Sequence, residues 1–335
     1  MAKPPTVEDV ALLAGVSRQT VSNVLNTPAV VKPSTRERVE QAIADLGYRP
    51  HAAARQLRTR RSSTIGIHLD PYAGGISGVV LDRFVHALTE HATARDMRIQ
   101  LYAARTPDEQ IARMGELVDG GEVDAVVISG TFHGDPRTGW LSSRSVPFVS
   151  FGRPWGEDDV LSPAHLWVDV DGAAGTAAAT RHALSHAGPR VAFIGWPHGS
   201  GTGDERERGW ADTMADAGLR MPRIACEESV GLSRIAIADL LASTPVDAVV
   251  CASDSLAIGA HLAATATGRG ELPVFGFDNT PAVEALGISS VEQLPERVAA
   301  GVLELLMGST GSVIDPRTPR SGAAHVLVEP RLVVR

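Results

Sequence analysis

From Thr64 onward, short apolar runs recur between stretches with helical periodicity, and this alternation constrains the fold more than any other feature. Thr64-Ile65-Gly66-Ile67-His68-Leu69 reads as a strand and is followed by a helix over about Val79 to Arg95. Ile99-Gln100-Leu101-Tyr102 is a second strand, and a helix opens near Pro107. Ala125-Val126-Val127-Ile128 and Pro147-Phe148-Val149-Ser150-Phe151 complete a first series. A second series starts at Leu166-Trp167-Val168 and runs through a helix at Ala173–Ala187 to the strand Val191-Ala192-Phe193-Ile194. It continues with strands Ala248-Val249-Val250-Cys251 and Val274-Phe275-Gly276-Phe277. Strands that are apolar throughout, rather than at every second residue, belong to parallel sheets covered on both faces. Two such series predict two α/β lobes, with ligands held between them at the carboxyl ends of the strands.

The first sixty residues obey a different rule. Thr6 is a good N-cap, with Glu8 and Asp9 favourably placed in the first turn. Val10, Leu13 and Ala14 follow at helical spacing until Gly15 stops the run, and Val16 reads as a buried connector. Ser17 caps a second helix, Arg18 to Leu25, with Val21, Val24 and Leu25 inward. Its other face carries Arg18, Gln19, Ser22 and Asn23, all able to hydrogen-bond to base edges or phosphates. A third helix runs from about Ser34 to Leu46, with Val39, Ala42, Ile43 and Leu46 inward and Gly47 as its stop. Helix, glycine turn, polar-faced helix is the arrangement that presents its second helix to a DNA major groove.

Charge divides at the same place. The 335-residue chain carries a net charge of −8, yet residues 1–63 hold ten Lys and Arg against five Asp and Glu. The head is therefore +5 and the remainder −13, which suggests that the head alone meets a polyanion.

The head also resembles a known family. Thr6-Val7-Glu8-Asp9-Val10-Ala11, Ala14-Gly15-Val16-Ser17, Thr20-Val21-Ser22 and Val24-Leu25-Asn26 are similar to the start of the lac repressor (LacI/GalR) family. Thr35-Arg36-Glu37-Arg38-Val39, Leu46-Gly47-Tyr48-Arg49-Pro50 and Ala54-Arg55-Gln56-Leu57 extend the match, with His51 departing from the usual Asn. The resemblance implies a helix-turn-helix head (1–50), a hinge helix or linker (51–61) and a two-lobed, periplasmic-binding-protein-like sensor domain (62–335) for effector binding and dimerisation. It also implies operator contacts from Thr6, Ser17, Arg18, Gln19, Thr20, Ser22, Asn23, Asn26 and Tyr48. Arg18, Gln19 and Asn23 are expected to read bases, and Thr6, Ser22, Asn26 and Tyr48 to grip phosphates.

Pro50 can open a helix, and Ala52 to Leu57 are good helix formers, but so short a helix is marginal in water. The resemblance implies that it orders against its twin in the minor groove. Ala54 is then a DNA-binding residue, Leu57 would wedge a central base step, and Arg58 would lie beside it in the groove. The bland alternative is a basic linker.

The resemblance continues through the body. Asp171-Gly172 with Gly175, Arg190-Val191-Ala192-Phe193-Ile194-Gly195 and Arg206-Glu207-Arg208-Gly209-Trp210 follow the family pattern. So do Ser253-Asp254-Ser255-Leu256-Ala257-Ile258-Gly259 and Gly276-Phe277-Asp278. Two departures are Pro189 and Ser253, the latter standing where the family has Asn. By resemblance Arg206, Ser253, Asp278 and Gln293 are effector contacts, and planar polar groups suit the paired donors and acceptors of a sugar. Tyr72, Phe151, Trp167 and Trp196 either stack on a sugar's apolar face or pack in the core. No leucine-heptad tail follows Leu332, which points to a dimer rather than a tail-dependent tetramer.

Other signals point away from chemistry. His182 and His186 have helical metal-pair spacing but no third ligand, and read as surface histidines. Gly199-Ser200-Gly201-Thr202-Gly203 fits neither phosphate-loop pattern and reads as a flexible interlobe loop near the ligand. No nucleophile, base and orienter assemble, and neither a metal nor a cofactor is expected. Met1-Ala2-Lys3-Pro4-Pro5 lacks a signal-peptide core, no apolar run approaches a membrane span, and Cys226 and Cys251 make no disulfide framework. The expectation is a cytoplasmic homodimeric repressor that binds a palindromic double-stranded operator and is released by a small effector, with a sugar favoured. The alternatives are a co-repressed regulator with a nucleobase-type effector, and a small-molecule-binding protein of the same shape.

Overall fold

The computed structural model describes residues 5–48, 61–69, 78–155, 165–308, 312–316 and 324–335, with only the backbone of Asn26. The expected hinge contacts Ala54, Leu57 and Arg58, the departure His51, and the aromatic Tyr72 lie outside these residues. Two compact units emerge, Met1–Ser62 and Ser63–Arg335. Among the described residues no helix is long and apolar enough to cross a membrane.

The first unit contains α1 (Val7–Ala14), α2 (Arg18–Asn26) and α3 (Pro33–Leu46), with a 3₁₀ turn at Pro28–Val30. Thr6 and Asp9 form a reciprocal capping box at the start of α1, which ends at Gly15 in the left-handed conformation (φ 63°). Val10, Ala11, Ala14, Val21, Val24, Val39 and Ala42 make its core. The inward stripe of α1 corrects the expected one: Leu13 is exposed and Ala11 is buried in its place. The small Ala11 and Ala14 side chains fit the closely packed face that α1 turns to its neighbours. Val16 is half-buried against the same core.

The second unit has two sheets. The first is ordered β11-β5-β4-β3-β1-β2 and wholly parallel. Its strands are β1 (Thr64–Leu69), β2 (Arg98–Ala103), β3 (Ala125–Ser129), β4 (Phe148–Phe151), β5 (Leu166–Val170) and β11 (His325–Val328). Helices α4 (Gly78–Thr93), α5 (Pro107–Asp119) and α6 (Pro136–Ser143) belong to this lobe, as does α12 (Pro295–Met307). The second sheet is ordered β12-β10-β9-β8-β6-β7. It contains β6 (Val191–Gly195), β7 (Arg223–Ala225), β8 (Ala248–Cys251), β9 (Val274–Phe277), β10 (Ser289–Glu292) and β12 (Arg331–Val333). With it go α7 (Gly172–His186), α8 (Gly201–Asp216), α9 (Val230–Ser243), α10 (Asp254–Ala266) and α11 (Pro281–Ala285).

Here the parallel expectation needs one amendment: β12 pairs antiparallel with β10 at the sheet edge. The chain therefore changes lobe three times, after β5, after β10 and between β11 and β12. These crossings gather the carboxyl ends of both sheets around one cleft.

Candidate functional site

In the head, Ser17 caps α2 by accepting from Thr20 N at 3.1 Å, which places Arg18 in its first turn. Ser17 Oγ also lies 3.0 Å from Thr20 Oγ1. Gln19 Nε2 donates to Asn23 Oδ1 at 3.0 Å, so these two polar side chains share one helix face. Arg18 Nη1 donates to Glu8 Oε1 of α1 at 2.5 Å. Thr6 is occupied with its cap, and Tyr48 packs half-buried against the head's core. Ser22 is half-buried on α2. Glu8 was not singled out in the sequence as a partner of Arg18, because ten residues and a turn separate them.

The second unit concentrates buried charge where the strands end. Arg206, on α8, is 5% exposed. Its Nη1 donates to Ala252 O at 2.6 Å and lies 3.6 Å from Asp278 Oδ1. Its guanidinium carbon stands 3.7 Å from the centre of the Phe277 ring and 5.4 Å from that of Trp196. Its Nε is buried without a hydrogen-bond partner. Burial pulls the Arg206 pKa down, against the carboxylates of Asp278, Glu228, Asp169 and Asp254.

Asp278 follows β9 and has a positive φ of 115°. Its amide donates to Val291 O at 2.8 Å and its Oδ1 accepts from Gln293 Nε2 at 2.5 Å. Burial pushes its carboxyl up to about 7 despite the nearby Arg206. Gln293, also buried, stands at the second lobe crossing, just before Leu294 in the left-handed region.

Glu228 is one of the site residues that the sequence reading does not reach, as are Arg153, Trp155, Asp169 and Glu205. It follows β7 and accepts from Trp196 Nε1 and Ser253 Oγ, each at 2.7 Å. No strand was expected at Arg223–Ala225, since three residues give no readable period. Ser253 spends its hydroxyl on Glu228 and on Leu256 N, whose donation it accepts at 3.3 Å as the cap of α10. Behind it, Asp254 accepts from Ser290 Oγ and Thr280 N, each at 2.6 Å.

From the first lobe come Arg153 and Trp155. Arg153 Nε donates to Asp169 Oδ2 at 2.6 Å, and Nη1 reaches across to Glu205 Oε1 of α8 at 3.1 Å. Trp155 stands under this guanidinium, and its buried Nε1 has no partner. Trp155, Asp169, Glu205, Arg206, Phe277 and Gln293 surround a cavity of about 20 Å³, which is room for roughly one water. The two lobes thus meet through Arg153 and Glu205 beside this cavity. A second link, Arg83 Nη2 to Glu292 Oε1 at 3.2 Å, joins α4 to β10.

Two expectations change, for the glycine-rich stretch and for His182, while for Phe151 and Trp167 the core-packing alternative holds. The glycine-rich stretch is not a loop: Ser200 caps α8, and Gly201 to Gly203 form its first turn. The glycines serve packing, since a Cβ at Gly201 would come within 2.2 Å of Trp155 and one at Gly203 within 2.8 Å of Trp196. Phe151 packs on Phe84 in the first lobe's core (4.8 Å between centroids), and Trp167 is buried against His325. His182 is half-buried, stacked on exposed His186 and edge-on to Phe275. These rings line a cavity of about 390 Å³ at the amino-terminal ends of β9 and β10, opposite the cleft. Among the described residues, His198, Asp204 and Glu207 bring three potential metal ligands together, but Arg223 Nε already pairs with Glu207 at 2.8 Å.

Residues 6–51 match the model of bacterial regulatory proteins of the lacI family, and residues 80–302 that of periplasmic binding proteins and the sugar-binding domain of the LacI family. The HTH-type transcriptional regulator CelR of Thermobifida fusca is 32% identical, over 99% of this chain and 97% of its own. A solved CelR–cellobiose complex superposes with a TM-score of 0.69 at 29% identity, covering 99% of both chains. The lac repressor dimer bound to operator and the anti-inducer ONPF shares the fold, with a TM-score of 0.77 at 22% identity, over 99% of this chain and 98% of that one.

Proposed function

The chain belongs to the lacI family of bacterial regulatory proteins and is a DNA-binding transcriptional regulator; from that premise we propose that it is a cytoplasmic homodimeric repressor, released from a palindromic operator by a neutral sugar. In this reading residues 1–50 read DNA, 51–61 form the hinge, and 62–335 hold the effector and the partner subunit. Arg18, Gln19 and Asn23 read base edges, and Thr6, Ser17, Thr20, Ser22, Asn26 and Tyr48 set the head on the backbone. Ala54, Leu57 and Arg58 engage the minor groove.

The effector reading rests on one observation: Arg206 is buried with an unpartnered Nε beside Asp278, which hydrogen-bonds Gln293. A buried donor without an acceptor costs about 1–3 kcal/mol, and a hydroxyl oxygen removes that cost. The same hydroxyl can donate to Asp278. Trp155 Nε1 is a second such donor at the same cavity. Asp169, Glu205, Asp278 and Glu228 outnumber the two guanidinium groups they surround, Arg153 and Arg206, which favours a neutral ligand over a phosphorylated one. The CelR–cellobiose complex supports a disaccharide as the first ligand to try.

The test is isothermal titration with cellobiose, maltose, raffinose and their monosaccharides, alongside glucose 6-phosphate, followed by operator release in a gel shift. Saturable binding of a neutral sugar with release is the expected result. Binding confined to the phosphate would refute it.

A further inference from the structure

We infer that Glu8 is a positioning residue for operator reading, holding Arg18 so that the free edge of its guanidinium meets one base pair. The inference rests on the reading of α2 as the helix that enters the major groove. Arg18 occupies the first position of α2, where the helix dipole is positive and a cation is disfavoured. Helix stability therefore does not explain it. The compensating charge comes from the other helix: Glu8 Oε1 accepts from Arg18 Nη1 at 2.5 Å.

Both ends of this contact are fixed by caps. The Thr6–Asp9 capping box sets the first turn of α1, in which Glu8 lies, and Ser17 sets the first turn of α2. The pair is solvent-exposed, 69% for Arg18 and 66% for Glu8, so it adds little to the stability of the head. Its consequence is orientation. Arg18 has many rotamers, and a bidentate contact to guanine O6 and N7 needs one of them. With Nη1 tied to Glu8, the guanidinium is held in place while its Nε and Nη2 edge stays wholly free to make that fork. A side chain ordered before binding loses less entropy when it meets the base.

Glu8 also brings a negative charge to the face that meets phosphates, which opposes sequence-independent binding. Positioning and repulsion thus predict effects of opposite sign when the charge is removed. A role confined to folding of the head would weaken both kinds of binding together.

The experiment uses the full-length protein carrying Glu8→Gln, Arg18→Ala or both, in a randomised-operator selection with parallel affinity measurements on unrelated duplex. Glu8→Gln is expected to lower discrimination at one symmetric base pair by about 2–5-fold, the range for an exposed ion pair. Affinity for unrelated DNA should hold or rise. In the Arg18→Ala background, Glu8→Gln should leave that preference unchanged. Unaltered discrimination in Glu8→Gln overturns the inference, as does an equal loss at every position or the same loss without Arg18. If Arg18→Ala itself leaves operator preference intact, the reading of α2 fails and the inference with it.

Discussion

The carboxylate of Asp278 and the guanidinium of Arg206 approach to 3.6 Å without a hydrogen bond between them. Each is instead tied to a neighbour, Asp278 to Gln293 and Arg206 to the carbonyl of Ala252. Arg206 keeps a buried Nε without a partner, and a carboxylate has more acceptor sites than the one Gln293 uses. In the proposed reading a polyol hydroxyl, donor and acceptor at once, serves both groups.

The first prediction follows from that gap. Arg206→Ala should abolish induction while operator binding stays within about twofold of the parent. Losing hydrogen bonds from a charged donor, at about 1.5–3 kcal/mol each, should weaken sugar binding roughly 10–150-fold. Titration calorimetry and a gel shift on the same preparation check both halves. A variant that still releases operator at the parental sugar concentration would place the effector elsewhere.

Asp278 makes both stability and binding depend on pH. Its carboxyl stands at about 7 in the fold, because of burial, against 3.8 for an ordinary aspartate. A raised carboxyl stabilises the fold fully below the unfolded value, and that contribution is lost as pH rises through 7. Between pH 4 and 7 the loss should approach about 1.4 kcal/mol per pH unit, and Asp278→Asn should flatten it. Asp254 and Asp169, also raised by burial, add slopes of the same sign, so the variant should keep part of the decline. Thermal melts from pH 4.5 to 8 read this directly. Sugar binding should run the other way: hydroxyl donors favour the carboxylate, so affinity should rise through pH 7 with proton release.

How far the sequence reached depends on what kind of contact makes each feature. The central strands β1, β3, β4, β6, β8 and β9 were legible because burial on both faces leaves an uninterrupted apolar run. Arg206, Asp278 and Gln293 were legible because short motifs surround them. Glu228 was not, since it is brought to Trp196 and Ser253 only by the pairing of β7 with β6. The glycines at 201 and 203 look like a loop because a sequence does not reveal the tryptophans packed on them. Leu13 misled because on so short a helix it and Ala11 fit the apolar spacing equally well.

If the sugar site is the cavity of about 20 Å³ beside Arg206, with room for roughly one water, a sugar enters only when the lobes part there. Arg153 bridges them through Glu205, and both side chains are nearly buried. Glu205→Gln should weaken the bridge and speed sugar association several-fold, with a smaller change in equilibrium affinity. Trp155, which stands in the cavity, provides a stopped-flow fluorescence signal. An association rate equal to the parent's would show that this contact does not gate entry.

Packing supports the same wall. A Cβ on Gly209 would lie 2.1 Å from the carbonyl of Ala173, where α8 crosses α7. Thr176 Oγ1 donates to Arg206 O at 2.6 Å across that crossing. Gly209→Ala should therefore cost about 1–3 kcal/mol or more and lower Tm, while displacing Arg206 enough to reduce sugar affinity. A melt unchanged by this substitution would mean that the two helices separate freely.

The last prediction concerns the coupling of the two units. If the sugar favours lobe positions that the operator-bound dimer disfavours, linkage requires the converse, that operator weakens sugar binding by the same factor. Couplings of this kind are typically about 5–150-fold. Sugar titrations with and without saturating operator should differ by the factor that operator titrations show with and without saturating sugar. If residues 51–61 act as the proposed hinge, they supply a control: Leu57→Ala should reduce specific binding far more than non-specific binding, since the loss would fall on a deformed duplex. Its sugar affinity in the absence of DNA should match the parent's. Equal sugar affinities with and without operator would exclude induction by this route. A sugar that binds more tightly with operator present would make it a co-repressor, through the same cleft and with the opposite sign.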